Sequence, residues 1–156
     1  MIAEGKRAPT WKLASSEGGE SSLSSFAGKT LVMYFYPRDD TPGCTTEARD
    51  FELARKRFER LGASVVGISR DSLESHCKFK DKHGLGFALL SDPDAKVITA
   101  YGAWGEKINY GKKYMGILRT TIIVGPDGKV KKIFPKVKVA GHVDAVLEAL
   151  KGMRDA

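Results

Sequence analysis

The run from Leu31 to Tyr36 constrains the fold most, because six consecutive apolar residues end at Pro37 and a helical pattern follows. A short, uninterrupted apolar run of this kind predicts a strand buried on both faces. From Thr41 the apolar residues recur at spacings of three, four and seven up to Gly62, which predicts one helix over 41–62. A second buried strand is predicted at 63–68, so a strand–helix–strand unit begins the fold.

The remainder of the chain continues this alternation. We predict a polar helix at 72–82 ended by Gly84, a strand at 87–90, a short helix at 94–101, a hairpin with strands at 120–124 and 129–134, and a final amphipathic helix at 142–151. The alternating part predicts parallel strands, and the hairpin adds antiparallel ones. The expected fold class is α/β, with a mixed central sheet and helices on both faces. This order is typical of a thioredoxin-like fold, although periodicity alone leaves other α/β folds open.

Length and composition agree with one domain over residues 1–156. The first residues carry early charges and no apolar run, which is unlike a secretory signal. No stretch approaches the roughly 18 apolar residues of a membrane span. We therefore expect a cytoplasmic protein that does not bind membranes. In a reducing compartment its two cysteines, Cys44 and Cys77, are expected to be catalytic or inert rather than a permanent bridge.

The formal charge of +7 lies mostly in the second half of the chain, and residues 129–138 contain five lysines and no acid. Such a segment could attract nucleic acid, which makes a basic binding module one alternative function. Phe134 is the only aromatic residue among these lysines, and no nucleic-acid motif is present. We expect a solvated hairpin face and no nucleic-acid partner.

Cys44 follows the first predicted strand and falls in the first turn of the predicted helix. Thr41 suits the N-cap position and Pro42 the first helical position. Free amide groups and the helix dipole favour negative charge there, so Cys44 is expected to hold more reactive thiolate than a free cysteine. The end of a strand also places the sulfur at the rim of the sheet, where a small substrate can reach it.

Asp39 and Asp40 would oppose this ionisation, so a cation is required nearby. Arg38 and Arg49 are local candidates. Arg119 is another, because it stands at the mouth of an apolar strand, where an arginine is costly without a partner. The alternative for Arg119 is a surface arginine at the start of a strand.

The spacing around Cys44 excludes the most common redox motif. Thr41 stands three residues before Cys44 and Glu47 three residues after it, so the chain has no Cys-x-x-Cys pair. A thiol–disulfide oxidoreductase of the thioredoxin type needs that pair, which argues against this second alternative function. A hydroxyl at Thr41 can instead hydrogen-bond a substrate oxygen or the thiolate.

The segment PRDDTPGC at 37–44 resembles the P-x-x-x-T-x-x-C signature of peroxiredoxins. The segment 101–121, YGAWGEKINYGKKYMGILRTT, is similar to the Q type of that family, also called bacterioferritin comigratory protein. The similarity extends from Ala8-Pro9 to the terminal helix. It implies a thiol peroxidase that reduces hydrogen peroxide and organic hydroperoxides without metal, haem or other cofactor, with thioredoxin or a similar dithiol protein as reductant. Many Q-type proteins are monomers, and we expect a monomer here.

By position, the resemblance implies that Cys44 is the peroxidatic cysteine. Arg119 would stabilise the thiolate and the peroxide oxygens, and Thr41 would hold the peroxide for in-line attack. Pro37 would shield the site from water. Glu47 would hold Arg119 in place, or would simply be a charge on the helix surface. These roles agree with the chemistry, since O–O cleavage needs an aligned thiolate and donors where charge develops.

Attack on a peroxide leaves a sulfenic acid, which a second thiol can capture as a disulfide. Many Q-type members carry that thiol five residues after the first cysteine, where this chain has Arg49. Cys77 is the other thiol and would be the resolving cysteine, as in some Q-type members. Its neighbours are mostly polar, so we expect it to be accessible, although a free cysteine can also be a small buried hydrophobe. If Cys77 is not oxidised, an external thiol would resolve a one-cysteine enzyme.

A disulfide requires Cα atoms within roughly 7 Å, and two separate helices are expected to start further apart. We therefore expect the first turn at Cys44 and part of the 72–82 helix to unfold locally on oxidation.

The residues that could hold a metal or a cofactor show no suitable pattern. The three histidines, His76, His83 and His142, have no metal-ligand spacing, and we expect them at the surface. Trp11 and Trp104 are expected to pack in the fold rather than hold a cofactor.

Overall fold

The computed structural model describes residues 2–155 and contains nine strands, five α-helices and one 3₁₀ turn in that range. The elements follow the chain in the order β1 (Lys12–Ser15), β2 (Glu20–Ser22), the 3₁₀ turn (Leu23–Phe26), β3 (Thr30–Phe35), α1 (Pro42–Leu53), α2 (Arg55–Arg60), β4 (Ala63–Ser69), α3 (Leu73–His83), β5 (Ala88–Ser91), α4 (Lys96–Ala100), β6 (Trp104–Asn109), β7 (Lys112–Ile117), β8 (Thr120–Val124), β9 (Val130–Phe134) and α5 (His142–Asp155).

Seven of the strands form one mixed sheet in the order β2-β1-β5-β4-β3-β8-β9. The central strands β3, β4 and β5 are parallel to one another, with helical crossovers between them. On one side β8 pairs antiparallel with β3 and β9 antiparallel with β8, and on the other β1 pairs antiparallel with β5 and β2 antiparallel with β1. The mixed sheet predicted from the sequence is therefore confirmed.

Helices cover both faces of the sheet, as the alternation of side chains along β3 shows. Val32 and Tyr34 face a core that is shared with α1, α2, α3 and α5. Leu31, Met33 and Phe35 face a second core, which is closed by α4 and by the N-terminal segment around Trp11. Because β3 is buried on both faces, its sequence is continuously apolar rather than alternating.

The helix predicted over 41–62 is two helices, which is a correction to the expected element. α1 ends at Leu53 and α2 begins at Arg55, with Ala54 between them. The interruption is small, since the Ala54 amide still donates to Asp50 and the Phe58 amide to Ala54. Phe51 and Phe58 consequently remain in the same core, which is why the apolar spacing continues across the interruption.

The expectation that the histidines lie at the surface is wrong for two of them. His76 is fully buried and His142 is 6% exposed, while His83 is half-buried. Both buried rings have polar partners, His76 on Asp39 and His142 on Thr121. Such partners allow a polar ring to sit in a core, and they come from elements far away in sequence. Within the described range, no helix has the length and apolar character needed to cross a membrane.

Candidate active site

Cys44 lies where the sequence predicts it, in the first turn of α1 beyond the end of β3. Thr41 is the N-cap residue and Pro42 begins the helix. The sulfur-bearing side chain is 1% exposed, so the thiol is enclosed by the fold. A thiolate there would face the free amide groups at the start of the helix.

Arg119 contacts Cys44 directly. Its Nη2 donates to Sγ at 3.3 Å, and its Nη1 donates to Oε1 of Glu47 at 2.5 Å. Strand pairing explains this meeting, because Thr120 in β8 is in register with Phe35, the last residue of β3. Arg119 therefore stands beside the loop that leads from β3 to Cys44. The side chain of Arg119 is 18% exposed, so this cation is partly withdrawn from water.

Glu47 lies one helical turn after Cys44 and is 1% exposed. Burial raises its pKa to about 7, although the charge and hydrogen bond of Arg119 act in the opposite direction. Its second oxygen, Oε2, has no hydrogen-bond partner among the described residues. Burial would lower the pKa of Arg119, but the charges of Glu47 and Cys44 outweigh burial and raise it. The guanidinium is therefore a permanent cation joining two acidic groups.

The side chain of Thr41 does not cap the helix that it begins. Its hydroxyl donates to the carbonyl oxygen of Arg38 at 2.9 Å, and the side chain is half-buried. This bond makes a tight turn between β3 and α1. Pro37 directly follows the buried Tyr36 and is itself half-buried. Thr41 and Pro37 thus both belong to the connection that carries Cys44.

The carboxylates of Asp39 and Asp40, which were expected to oppose ionisation of Cys44, are hydrogen-bonded to side chains of α3, and that of Asp39 also to Tyr36. Asp39 accepts from the hydroxyls of Tyr36 and Ser75. Asp40 accepts from Lys82 at 2.9 Å, and hydrogen bonds from Lys82 and then His83 lower its pKa. Of the candidate cations, Arg38 and Arg49 are exposed, and Arg119 makes the contact with Sγ.

Cys77 lies on α3 and is exposed, as the polar sequence around it predicts. Its Sγ is 3.9 Å from the carbonyl oxygen of Ser16, a weak contact. Both thiols are free in this structure. Cys44, on α1, is buried, whereas Cys77, on α3, is exposed to solvent. The fold keeps the two sulfurs in different environments.

Lys107 is a residue of the site that sequence reasoning missed. Its Nζ donates to the carbonyl oxygen of Ile117 at 2.9 Å, and its stem crosses the hairpin at Gly116, where a Cβ would come within 3.1 Å of Lys107 Cδ. Burial lowers its pKa, the charge of Arg119 adds to this effect, and the charge of Cys44 opposes it. A second cation therefore lies within electrostatic reach of the sulfur. The pairing of β6 with β7 would have been needed to find it.

One group of side chains has the composition of a metal site, formed by Asp39, Asp71 and His76. Its atoms are already hydrogen-bonded to protein groups. Asp39 Oδ2 lies 2.7 Å from His76 Nδ1, and Asp71 Oδ2 accepts from the hydroxyl of Ser69 at 2.6 Å and from the amide of Asp39 at 2.9 Å. Such contacts make a hydrogen-bonded cluster of these groups.

Similar proteins show the family to which the chain belongs. The family model for AhpC/TSA matches residues 5–133. The Bacillus subtilis protein named Peroxiredoxin Bcp is 46% identical over 154 residues, covering 99% of this chain and 98% of its own length. The Xanthomonas campestris protein of the same name is 48% identical over 139 residues, covering 89% and 87%.

Solved structures agree in fold. The Xanthomonas campestris bacterioferritin comigratory protein superposes with a TM-score of 0.91 at 44% identity, covering 97% of this chain and 99% of its own. A Xylella fastidiosa PrxQ variant superposes with a TM-score of 0.93 at 37% identity, covering 99% and 98%. The thioredoxin-like fold expected from the sequence is confirmed. The chain belongs to the AhpC/TSA family and, within it, to the Q-type peroxiredoxins, which are thiol peroxidases.

Proposed function

We propose that Cys44 is the peroxidatic cysteine and that its thiolate attacks the terminal, hydrogen-bearing oxygen of a hydroperoxide. An S–O bond forms as the O–O bond breaks, which leaves a sulfenic acid on Cys44 and an alkoxide or hydroxide that takes up a proton. The observation that carries this proposal is the contact of Arg119 with the sulfur at 3.3 Å. A guanidinium at that distance favours the thiolate and offers further N–H groups to the departing oxygen.

Glu47 would orient Arg119, and the 2.5 Å contact between them supports that role. Thr41 would direct its hydroxyl to the bound peroxide. Because this hydroxyl bonds to Arg38 in the unliganded site, it would turn from the carbonyl to the substrate. Pro37 would exclude water at the other side of the same loop. Each role places a group around the O–O bond before the reaction begins.

The substrates would be hydrogen peroxide and organic hydroperoxides. Alkyl peroxide reduction is the activity named for the Xanthomonas campestris relative, and the similarity of the two chains extends over nearly their whole lengths. The charge of +7 and Lys107, which interacts electrostatically with Arg119, would also tolerate hydroperoxides that carry a carboxylate. We infer no metal, haem or organic cofactor in this reaction.

Cys77 would resolve the sulfenic acid by forming a disulfide with Cys44, with loss of water. Its exposure makes the thiol available, whereas Cys44 is enclosed, so the turn at Cys44 and part of α3 would have to unfold locally. Thioredoxin or a similar dithiol protein would reduce the disulfide. We further propose that the protein acts as a monomer in the cytoplasm.

The test is a stopped-flow titration of the reduced protein with peroxide, followed by mass spectrometry of the products. Cys44→Ser is expected to abolish turnover. Cys77→Ser is expected to keep the first attack, then to accumulate sulfenic and sulfinic acid and to lose cycling with thioredoxin. Equal cycling in Cys77→Ser and wild type would contradict the resolving role and would favour a one-cysteine enzyme resolved by an external thiol.

A further inference from the structure

A buried polar cluster joins the loop before Cys44 to the helix that carries Cys77. We call it the Asp39 cluster, formed by Tyr36, Asp39, Ser75 and His76. Asp39 Oδ1 accepts from the Tyr36 hydroxyl at 2.5 Å, and Oδ2 accepts from the Ser75 hydroxyl at 2.8 Å and lies 2.7 Å from His76 Nδ1. The side chain that hydrogen-bonds Cys44 Sγ is Arg119, which lies outside this cluster, and the catalytic roles proposed above do not use the cluster.

The centre of the cluster is buried, and Ser75 at its edge is half-buried. His76 is fully buried, and the side chain of Asp39 is 3% exposed. The other ring nitrogen of His76, Nε2, lies 2.9 Å from the carbonyl oxygen of Leu90 in β5. Both ring nitrogens thus lie within hydrogen-bond distance of oxygen atoms. Hydrogen bonds between buried polar groups are costly to break, because a buried group left without its partner pays its desolvation cost.

The Asp39 cluster connects the two segments of the chain that carry the cysteines. Asp39 lies in the connection that leads to Thr41 and Cys44, while His76 directly precedes Cys77 on α3. Two further contacts between the same segments, from Lys82 and from His83 to Asp40, end on an exposed carboxylate and are consequently weak. The Asp39 cluster is therefore the main polar connection between the two cysteine-bearing segments among the described residues.

Formation of a Cys44–Cys77 disulfide requires these segments to move. Cys44 is enclosed in α1 and Cys77 points to solvent, whereas a disulfide needs its two Cα atoms within about 7 Å and its side chains directed at each other. Unwinding α3 around Cys77 would carry the adjacent His76 out of its buried position. The contacts of His76 with Asp39 and Leu90 would then be lost.

We propose that His76 and Asp39 form a latch that holds the reduced site together and whose release limits disulfide formation. His76 is a positioning residue in this scheme, since it acts on Cys77 and on the Cys44 loop without touching the reacting atoms. The inference rests on the proposed resolving role of Cys77. While the latch is closed, Cys44 stays in the first turn of α1 with Arg119 and can attack peroxide. When it opens, Cys77 can reach the sulfenic acid.

The test compares His76→Gln with His83→Gln in rapid-mixing experiments that follow the sulfenic acid and the disulfide separately. His83→Gln is the matched control, because His83 lies on the same helix and bonds only to the exposed Asp40. In His76→Gln the disulfide step is expected to accelerate by about tenfold, as expected for the loss of a hydrogen bond to a buried charge. The peroxide step should be unchanged or slower. A merely structural role would slow the reaction and would not accelerate one step of it.

Amide hydrogen exchange of the reduced protein gives a readout that does not depend on Cys77 chemistry. The amides of α3 are expected to lose protection in His76→Gln and to keep it in His83→Gln. Ser75→Ala removes one donor to Asp39 and is the second variant, with a smaller change in the same directions; it decides the question if His76→Gln does not fold. An unchanged disulfide rate together with unchanged protection of α3 would overturn the latch. If wild type forms no Cys44–Cys77 disulfide, the resolving role fails, and the exchange data still decide whether the cluster holds α3 to the loop.

Discussion

At Glu47 the requirements of folding stability and of the proposed catalytic role oppose each other. A carboxyl group that is 1% exposed, with one oxygen lacking a partner, resists ionisation, and burial accordingly raises its pKa to about 7. The bond to Arg119 is strongest when Glu47 is ionised. The charge that we propose orients the guanidinium therefore costs folding free energy at the pH where the ion pair is fully formed.

This cost predicts a pH dependence that Glu47→Gln should remove. Below pH 4.5 Glu47 is protonated in both the folded and the unfolded chain. Between pH 4.5 and about 7 the unfolded chain is ionised first, so the stability that Glu47 contributes in acid is lost as the pH rises through 7. The free energy of unfolding of wild type should therefore fall relative to Glu47→Gln by up to about 3 kcal/mol between pH 4 and pH 8.

Denaturant unfolding at a series of pH values measures this difference. Glu74→Gln is the matched control, because Glu74 is exposed and pairs only with Lys78, and its curve should parallel that of wild type. The peroxide rate of Glu47→Gln at pH 8 should fall by about tenfold, since the neutral amide holds Arg119 less firmly. Parallel stability curves for wild type and Glu47→Gln would contradict an elevated pKa at Glu47.

Sequence reasoning found residues whose chemistry is local and missed some of those defined by contacts. Cys44 and Thr41 follow from a strand end, an N-cap and a first turn, all within one segment. Arg119 was one of several candidate cations from its position and gained its role from the resemblance, whereas its contact with Cys44 depends on β8 lying beside β3, which periodicity does not predict. Lys107 and His76 have no local signal, because a lysine or a histidine in a polar segment looks solvated until the partner strand or loop is known.

At the scale of elements, apolar periodicity succeeded where an element is buried and failed where it is exposed. The strands β3, β4 and β8 are almost entirely buried and were predicted within a residue or two. The hairpin of β6 and β7 was missed, because Ile108, Tyr110 and Met115 are exposed and glycines interrupt the alternation. Its strands are defined by pairing with each other rather than by a buried face.

Two glycine substitutions test the packing of separate elements. A Cβ at Gly67 in β4 would lie 2.8 Å from Tyr34 Cζ and 2.9 Å from Leu89 Cδ2, both in the buried core. Gly67→Ala should therefore reduce the free energy of unfolding by about 1–3 kcal/mol. Gly152 in α5 has no atom within 4 Å of such a Cβ, so Gly152→Ala should increase it by up to about 1 kcal/mol. Thermal unfolding of both variants checks the two signs, and a stable Gly67→Ala protein would show that Tyr34 can move.

For the whole molecule, the alternation of strand and helix patterns along the chain, followed by a hairpin, predicts a sheet of parallel and antiparallel strands with helices on both faces. That residues 1–156 form one domain stays a prediction, and a single cooperative transition seen by both near- and far-ultraviolet circular dichroism would support it. The hydroperoxide that the enzyme prefers could not be read from the sequence, because no single motif selects it. The distribution of charge over the molecule offers a way to approach that question.

A formal charge of +7 surrounds a site whose own nearby side chains include Arg119 and Lys107. Such a field attracts an anionic substrate during diffusion and leaves a neutral one unaffected, and salt screens it. The rate of attack on a carboxylate-bearing hydroperoxide should therefore fall about threefold or more when the salt concentration rises from about 20 mM to about 500 mM. The rate of attack on the neutral tert-butyl hydroperoxide should change by less than about twofold over the same range. Stopped-flow measurement with both substrates checks this difference.

Lys107→Gln should lower the rate for the anionic substrate more than Lys113→Gln, because Lys113 is exposed and pairs with Glu106. Equal salt dependence for the two substrates would show that the charge of the molecule does not guide substrates to Cys44.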